Sequence, residues 1–290
     1  MTKLHNILRL MRPKHYIKNL LVFFPLIYSQ NFTNTDALLS ATVAFVAFCL
    51  LASAVYVVND IVDQKKDSAH PVNKFRPIAS GQVSRKTGYI LALLLYAIGF
   101  LLIFFMGNGQ IALFALLYTT LNLAYSFKLK HLPVMDCFCI AAGFVFRIYA
   151  GGVAIGEGVS EWLFLTVMAT SLFMAFGKRR GEMMQVGEST AARKSLSGYS
   201  PTLLNGMVFV FAGLAVVFYA LWTMTSVGAM IYTVPLVVFI VCKYLLAVFR
   251  ENSFGDPISI IFADKLLLIA IAVFGILSFV FLYWTGGYNA

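Results

Sequence analysis

Apolar runs of about twenty residues recur along the whole chain, and each is long enough to cross a ~30 Å hydrocarbon core as an α-helix. The sequence is 60% hydrophobic and only 12% charged, which is about half the charged share of soluble domains. Because the runs are continuous rather than alternating in polarity, they exclude a transmembrane β-barrel. The sequence therefore predicts an all-α polytopic membrane protein that lies in a lipid bilayer.

Nine of these runs are predicted to be membrane spans. They cover approximately residues 16–31, 37–59, 86–106, 109–126, 133–153, 161–177, 202–225, 229–249 and 265–285. The first is the least regular, because Pro25 interrupts it. Residues 1–15 lack the apolar core of a cleavable signal peptide, and their basic residues predict a cytoplasmic amphipathic helix on the membrane surface. We expect residues 1–290 to form a single transmembrane domain.

Cations are distributed unequally between the two sides of this nine-span arrangement. Of the 22 Lys and Arg residues, all except Arg147 fall at loops on one side of the membrane. The positive-inside rule therefore predicts a multi-pass plasma-membrane protein whose N-terminus is cytoplasmic and whose C-terminus faces out. The long polar loops lie on the same side, which predicts a functional site there. These loops cover about 60–85, 127–133, 178–201 and 250–264.

The net charge of +10 raises the question of a nucleic-acid partner. In a membrane protein, such a charge is better explained by basic cytoplasmic loops and by anionic substrates. We therefore expect no nucleic acid among the partners of this chain.

The first long loop begins with a dense polar group, in the stretch YVVNDIVDQKKDSAH at residues 56–70. The group consists of Asn59, Asp60, Asp63 and Asp67. If one helix continues through them, all four side chains fall within a 100° arc. Three carboxylates on one face repel each other, and their hard oxygen atoms suit Mg²⁺ bound together with substrate phosphates. The alternative is a solvated helix end whose acids pair with Lys65 and Lys66.

A basic segment, HPVNKFRPIASG, follows the acids directly. It contains Lys74 and Arg76, and Arg is suited to bidentate contacts with phosphate oxygens. Gly81 and two prolines favour a tight loop. Acids that hold Mg²⁺ beside cations that hold phosphate predict a diphosphate site.

Several motifs together resemble the UbiA superfamily of intramembrane prenyltransferases. The stretch NDIVDQKKD matches its first aspartate-rich motif, N-D-x-x-D-x-x-x-D, and the nine-span count agrees with the family. The chain is most similar to the branch of decaprenyl-phosphate phosphoribosyltransferases. That similarity is carried by RPKHYIKNLLVF, NDIVDQKKDSAHPVNKFRPIASG, AYSFKLKH, FVFRIYAGGVA, SLFMAFGKRRGE and RKSLSGY, between residue 12 and about residue 199. It implies a UbiA-type helical bundle with a cytoplasmic-side cavity.

The resemblance also implies a reaction. A decaprenyl-type polyprenyl phosphate would attack C1 of 5-phosphoribosyl 1-diphosphate (PRPP), in a step that requires Mg²⁺. The products would be polyprenyl-phosphoryl-ribose 5-phosphate, a cell-wall precursor, and diphosphate. A homo-oligomer is compatible with the resemblance.

The same resemblance assigns roles to individual residues. It makes the four residues of the acidic group metal ligands and the three aspartates among them catalytic. Tyr125 and Lys130, in YSFKLKH, are carried over as site residues that contact phosphate. The alternative for Tyr125 is an aromatic residue at the membrane interface.

The chain departs from the prenyltransferase pattern where a second aspartate-rich motif would stand. That stretch, GKRRGEMMQVGE, contains Lys178, Arg179 and Arg180, and its acids are Glu182 and Glu188. One acidic and one basic site suit a ligand with a metal-bound diphosphate and a bare phosphate, as in PRPP. Lys178 and Arg179, with Glu182 beside them, are therefore candidates for the 5-phosphate. The alternative is ordinary positive-inside anchoring.

Three further polar residues are candidate substrate contacts. Asp136 and Arg147 share one face of the fifth span, but about 16 Å of helix separates them, so they cannot touch. Asp136 would bind the ribose hydroxyls or complete the Mg²⁺ shell. Arg147 would bind the lipid phosphate or pair with helix-end carbonyl groups. Lys18, beside Asn19, would receive the lipid phosphate or snorkel to the interface.

Two other functions compete with phosphoribosyl transfer. The first is a UbiA-type transfer of a prenyl group from a prenyl diphosphate to an aromatic or other acceptor. The second is membrane transport, which fits less well because the chain shows no clear repeat and its acids gather on one side.

Overall fold

The computed structural model describes residues 3–69, 72–185, 194–226, 228–250 and 257–285. In these ranges the regular structure is helical and no strand occurs, which confirms the all-α prediction. The α-helices are α1 Lys3–Met11, α2 Phe24–Tyr28, α3 Thr35–Val62, α4 Gln64–Ala69, α5 Arg85–Phe105, α6 Gly109–Phe127, α7 Met135–Ile155, α8 Glu161–Gln185, α9 Pro201–Thr225, α10 Val234–Phe249, α11 Pro257–Ala263 and α12 Lys265–Val280. Shorter 3₁₀ segments include Pro13–Phe23, Asn73–Phe75, Leu129–His131 and Gly228–Thr233.

Within the described ranges, 7 helical segments are long and apolar enough to cross a membrane. They are Thr35–Val62, Arg85–Phe105, Gly109–Phe127, Met135–Ile155, Pro201–Thr225, Gly228–Phe249 and Lys265–Trp284. Each coincides with a predicted span, so the prediction of a multi-pass membrane protein is confirmed.

The remaining two predicted spans do not meet the same criterion, so the count of nine is not matched in full. Residues 16–31 are divided between the 3₁₀ segment Pro13–Phe23 and the short helix α2, which begins beside Pro25. The stretch 161–177 lies in the 25-residue helix α8, whose charged residues at both ends lower its apolar character.

The chain divides into two compact units, Met1–Val159 and Ser160–Ala290, which are described separately. In the first unit, α3 is the central helix and packs against α5, α6 and α7. Its buried face is rich in alanine, and small residues of this kind let neighbouring helix backbones approach closely. The core around it contains Val22, Ala44, Ala47, Phe48, Leu51, Ala52, Ile111, Ala115, Tyr118 and Ala150.

Helix α1 packs against the end of α3 that precedes α4. Its Leu10 is fully buried in a cluster with Val57, Ile61 and Ile78, whereas Leu4 and Leu8 are exposed. The helix therefore packs one face on the protein, while its outward side carries both apolar residues and the polar residues His5 and Arg9. Its predicted position on the membrane surface stays a prediction.

In the second unit, α8 packs along α9, and Arg180 joins this pair to α10. The Arg180 side chain donates through Nε to Asn205 Oδ1 at 2.8 Å and through a terminal nitrogen to the Val248 carbonyl at 2.9 Å. Its guanidinium also lies 3.9 Å from the centroid of the Phe249 ring. Arg180 therefore has a structural role at this end of the unit.

Candidate active site

The acidic group lies at a break between two helices rather than on one continuous helix. Helix α3 ends at Val62, Asp63 caps it, and Asp67 lies in α4. The continuous helix assumed for these four residues is therefore interrupted at Asp63. Backbone hydrogen bonds from Asp63 to the Asn59 carbonyl and from Asp67 to the Asp63 carbonyl, at 2.9 and 2.8 Å, keep the four residues close.

Asp60 is 2% exposed and is paired with two cations. Its Oδ1 lies 2.5 Å from Arg12 and 3.4 Å from Arg76. A carboxylate buried to this degree requires cationic partners or hydrogen-bond donors to stay ionised. Asp60 thus joins the N-terminal segment to the basic loop that follows α4.

Arg76 also brings Asp67 into the same cluster. The same guanidinium nitrogen that faces Asp60 lies 2.7 Å from Asp67 Oδ2, and the Asn73 amide donates to Asp67 Oδ1 at 3.0 Å. Gln64 donates to the Ile78 carbonyl at 3.2 Å, which holds the loop against α4. The prediction that Arg76 lies beside the acids is confirmed.

Asp63 faces a different cation, Lys130. Lys130 Nζ lies 2.5 Å from Asp63 Oδ1 and 3.5 Å from Asn59 Oδ1, and the lysine is buried. The chain places Lys130 in a 3₁₀ turn before Pro133 and Val134, and Val134 has a positive φ of 66°. That φ is unusual for a β-branched residue, so the backbone is strained where the segment after this turn enters α7.

The acids therefore pair with Arg12, Arg76 and Lys130. Lys65 and Lys66, the partners in the alternative interpretation, are exposed and form no ion pair with the acidic group. Three carboxylates and three cations form one compact cluster in the first unit, which we call the charge cluster.

Lys74 and Tyr125 are two of the predicted site residues that lie outside the charge cluster. Lys74 is exposed, and its Nζ lies 5.2 Å from the centroid of the Phe75 ring. Tyr125 is half-buried near the end of α6, two residues before Phe127. The roles predicted for Lys74 and Tyr125 stay predictions.

Asp136 and Arg147 both lie in α7, which is continuous from Met135 to Ile155. Asp136 is fully buried in the first turn of the helix. Arg147 is 5% exposed, and none of its hydrogen-bond partners is Asp136, as the spacing predicted.

The guanidinium of Arg147 is held by neutral acceptors. It donates to Asn19 Oδ1 at 2.6 Å, to the Gly143 carbonyl at 2.7 Å and to the Tyr118 hydroxyl at 2.9 Å. It also lies 4.5 Å from the centroid of the Tyr118 ring. This arrangement joins α6, α7 and the 3₁₀ segment that contains Asn19, and Lys18 lies half-buried beside Asn19.

In the second unit, the predicted basic site lies near the end of α8. Arg179 is 1% exposed and pairs with Glu182 at 2.5 Å. Lys178 is half-buried. Arg180, the third cation of this run, binds the neighbouring helices instead. Glu188 lies outside the described residues.

The donor set of the charge cluster fits a divalent cation that is bound together with a ligand. Among the residues that the structure describes, no group of three or more acidic, His or Cys side chains is arranged so that it could hold a metal ion by itself. Carboxylate and amide oxygens are nevertheless the atoms that Mg²⁺ prefers, and Mg²⁺ usually binds through one or two carboxylates, waters and substrate phosphates.

Two residues that carry no predicted role contact site residues in the structure. Arg12 contacts Asp60, although only its position before Pro13 in the motif RPKHYIKN marked it. Tyr118 contacts Arg147, and in the sequence it is one aromatic residue among many. The ion pair between Arg12 and Asp60 spans 48 positions, and the hydrogen bond between Arg147 and Tyr118 spans 29. Local sequence patterns carry no information on contacts at such separations.

The chain is similar over most of its length to two bacterial enzymes. It is 35% identical to the decaprenyl-phosphate phosphoribosyltransferase of Mycolicibacterium smegmatis, over 98% of this chain and 91% of the relative. It is 38% identical to the decaprenyl-phosphate phosphoribosyltransferase of Corynebacterium glutamicum, over 90% of this chain and 81% of the relative.

The fold has a close structural neighbour. A UbiA homologue from Archaeoglobus fulgidus, solved with GPP and Mg²⁺, superimposes with a TM-score of 0.77 at 18% identity, over 96% of this chain and 99% of the neighbour. The sequence model of the UbiA prenyltransferase family matches residues 20–259. With the helical fold and the aspartate-rich motif, this match shows that the chain belongs to the UbiA prenyltransferase family.

Proposed function

We propose that this protein transfers the 5-phosphoribosyl group of PRPP to a polyprenyl phosphate of the decaprenyl type. The proposal depends on the similarity of the chain, over most of its length, to two decaprenyl-phosphate phosphoribosyltransferases at 35% and 38% identity. The charge cluster supports it, because it provides carboxylates for a metal-bound diphosphate and cations for phosphate oxygens within one unit.

Mg²⁺ is the proposed cofactor. Asn59, Asp60, Asp63 and Asp67 would hold it together with the diphosphate of PRPP, and the bound ion would neutralise charge on the departing diphosphate. The oxygen donors of these residues support this choice over Zn²⁺, which favours nitrogen and sulfur ligands.

The reaction requires little proton transfer. An oxygen of the lipid phosphate forms a bond to C1 of the ribose as the bond from C1 to the diphosphate oxygen breaks. The lipid phosphate is already anionic near neutral pH, so a strong general base is unnecessary. The protein therefore has to position the substrates and stabilise charge. Arg76 and Lys130, which already touch the acids, are the proposed contacts to diphosphate oxygens, with Lys74 and Tyr125 as further candidates.

The remaining predicted contacts would recognise other parts of the two substrates. Asp136 would bind ribose hydroxyls. Lys178 and Arg179 would bind the 5-phosphate, with Glu182 fixing the orientation of Arg179. For the lipid phosphate, Lys18 and Arg147 are the candidates, and the three neutral acceptors of Arg147 support a structural role as the alternative.

The site is proposed to face the cytoplasm, where soluble phosphosugars are found. The support is the positive-inside distribution of Lys and Arg, which predicts a cytoplasmic N-terminus and an external C-terminus in the plasma membrane. A homo-oligomer is compatible with this arrangement.

The deciding experiment is a paired-substrate assay on the purified protein in lipid. One reaction contains labelled PRPP and polyprenyl phosphate, and the other contains labelled prenyl diphosphate and an aromatic acceptor, each with Mg²⁺ or with EDTA. We expect product only from PRPP and only with Mg²⁺. Product from the prenyl diphosphate alone would replace this proposal with prenyl transfer.

Two substitutions then test the metal assignment. We expect Asp60→Asn and Asp63→Asn to abolish turnover without unfolding the protein, because each keeps the side-chain volume and removes one carboxylate charge. Normal turnover in either variant would refute the Mg²⁺-diphosphate assignment.

A further inference from the structure

Arg12 lies at the junction between α1 and the 3₁₀ segment Pro13–Phe23, and it has an unusual backbone conformation. Its φ and ψ are 56° and 58°, in the left-handed region. A residue before proline normally adopts an extended conformation, and non-glycine residues avoid the left-handed one. The surrounding structure must therefore hold Arg12 in this position, and such outliers concentrate at ligand clamps.

Neighbouring contacts fix this conformation. Ser53 donates to the Met11 carbonyl at 3.0 Å, and the His15 amide donates to the Arg12 carbonyl at 2.9 Å. The guanidinium of Arg12 lies 5.2 Å from the centroid of the Tyr56 ring. Tyr56 precedes Asp60 by one turn of α3. The backbone is thus held in place while the side chain extends into the charge cluster.

Arg12 and a bound metal would share the carboxylate of Asp60. The guanidinium lies 2.5 Å from Asp60 Oδ1, and Arg76 also faces this oxygen. A divalent cation held by Asp60 needs a lone pair of that carboxylate. A metal on this carboxylate would offset part of its negative charge and so weaken its attraction for the guanidinium, whereas the incoming diphosphate provides new anionic oxygens.

We propose that Arg12 is a diphosphate-binding residue, which exchanges Asp60 for diphosphate oxygens when the metal-bound ligand enters. The inference rests on the proposed metal-diphosphate site and adds to it a cation from the N-terminal segment. The planar fork of Arg suits two parallel hydrogen bonds to such a ligand. The pairing with Asp60 then serves as the resting state, because it keeps a buried carboxylate compensated until ligand arrives.

The test measures binding of inorganic diphosphate to the full-length protein in lipid nanodiscs, by isothermal titration calorimetry in the presence of Mg²⁺. The variants are Arg12→Gln and Arg12→Lys, with Lys14→Gln as the control. Lys14 is exposed, carries the same charge and lies two residues away. Ribose 5-phosphate serves as a second probe, because it has a phosphate but no diphosphate.

We expect Arg12→Gln to weaken diphosphate binding by about tenfold or more, as for loss of a hydrogen bond to a charged group. Lys14→Gln should stay within about twofold of the wild type, as for an exposed charge. Arg12→Lys should bind diphosphate with intermediate affinity, because lysine keeps the positive charge but lacks the paired N–H donors of the guanidinium. Binding of ribose 5-phosphate should be unchanged in both Arg12 variants.

A purely structural role for Arg12 predicts a different change in the diphosphate affinity of Arg12→Gln. If Arg12 only neutralises Asp60, its removal frees the carboxylate for the metal, and diphosphate binding stays equal or becomes tighter. Either result in folded Arg12→Gln overturns the proposal. If that variant does not fold, Arg12→Lys decides in the same way, and wild-type affinity in Arg12→Lys overturns it.

This test separates the inference from the proposed function. Diphosphate is the leaving group in both phosphoribosyl and prenyl transfer, so the result does not depend on turnover of PRPP. If wild-type protein binds no diphosphate with Mg²⁺, the metal-diphosphate site itself is wrong. If wild-type protein binds it and Arg12→Gln binds it equally well, only the assignment of Arg12 is wrong.

Discussion

Lys130 and Asp63 are 67 positions apart in the chain, yet Lys130 Nζ lies 2.5 Å from Asp63 Oδ1. The lysine is buried and the aspartate is 21% exposed, so one partner is shielded from water and the other is accessible. A buried lysine is normally charged only when it is paired. This pair therefore fixes a cation at the edge of the charge cluster, beside Asn59 and within reach of a ligand.

We expect Lys130→Gln to lower kcat/KM for PRPP by about 100-fold or more, as for a displaced positioning group in an active site. The control is Lys128→Gln, which removes an exposed charge two residues away and should be close to wild type. Steady-state kinetics with PRPP as the varied substrate measure both. Equal activities in the two variants would contradict a role for Lys130 in the site.

The pair should also behave as a unit. If Lys130 and Asp63 stabilise each other, the Asp63→Asn/Lys130→Gln double variant should lose less free energy of unfolding than the sum of the two single effects predicts, because the second change removes an interaction that is already broken. The measurement is a double-mutant cycle on the free energy of unfolding. Strict additivity would indicate that the two residues act independently.

A second prediction concerns Arg147. Arg147→Met should lower the free energy of unfolding by about 1–3 kcal/mol, because the buried acceptors on Asn19 and Tyr118 lose the donor that Arg147 provides. Thermal unfolding in detergent measures this effect. Tyr118→Phe, which keeps the ring and removes one acceptor, should cost less.

The same variant separates the two roles left open for Arg147. A structural role predicts that the melting temperature falls while the KM for polyprenyl phosphate stays unchanged in the folded fraction. A raised KM for the lipid with an unchanged melting temperature would favour contact with the lipid phosphate. The neutral acceptors around Arg147 lead us to expect the first result.

A third prediction concerns the close approach of α7 to the 3₁₀ segment at Gly151. A methyl group on Gly151 would overlap the backbone carbonyl of Val22, so Gly151→Ala should destabilise the protein by about 1–3 kcal/mol, the usual cost of overpacking. Gly143→Ala is the matched control on α7, because its methyl group would meet ordinary contacts, the nearest 3.6 Å away. Equal melting temperatures for the two variants would contradict this packing.

Much of the fold follows from the sequence, because length and hydropathy determine where a helix can cross a membrane. The seven confirmed spans are those with long uninterrupted apolar runs. The first predicted span failed at Pro25, since proline removes a backbone donor and favours a break. Helix α8 was located correctly, but its charged end makes it less apolar than a typical span.

The sequence predicts most residues of the charge cluster but only some of the contacts between them. The acids and Arg76 are close in sequence, so their proximity could be inferred. The helix break at Asp63 could not, because nothing in NDIVDQKKD interrupts a helical pattern. The contacts of Asp60 with Arg12 and of Asp63 with Lys130 depend on tertiary packing between distant segments, on which local periodicity carries no information.

The last prediction concerns pH and the start of α12. Asp264 lies before this helix, accepts a hydrogen bond from the Leu267 amide at 3.1 Å and pairs with Lys243 at 2.8 Å. The hydrogen bond from Lys243, followed by the bond from Leu267, holds the pKa of Asp264 below its usual value. Because the pKa is lower in the folded state, the contribution of Asp264 to stability is present above the unfolded pKa and is lost as the pH falls through the folded pKa.

Asp264→Asn separates the two contacts, because asparagine caps a helix as well as aspartate but carries no charge. We expect this variant to be less stable than wild type near neutral pH, and we expect the difference to shrink as the solution is acidified below about pH 4, the usual Asp pKa. Asp264→Ala should be less stable than Asp264→Asn at every pH, since it also loses the cap. Thermal unfolding across a pH series measures all three proteins, and a pH-independent gap between wild type and Asp264→Asn would show that the Lys243 pair does not stabilise the fold.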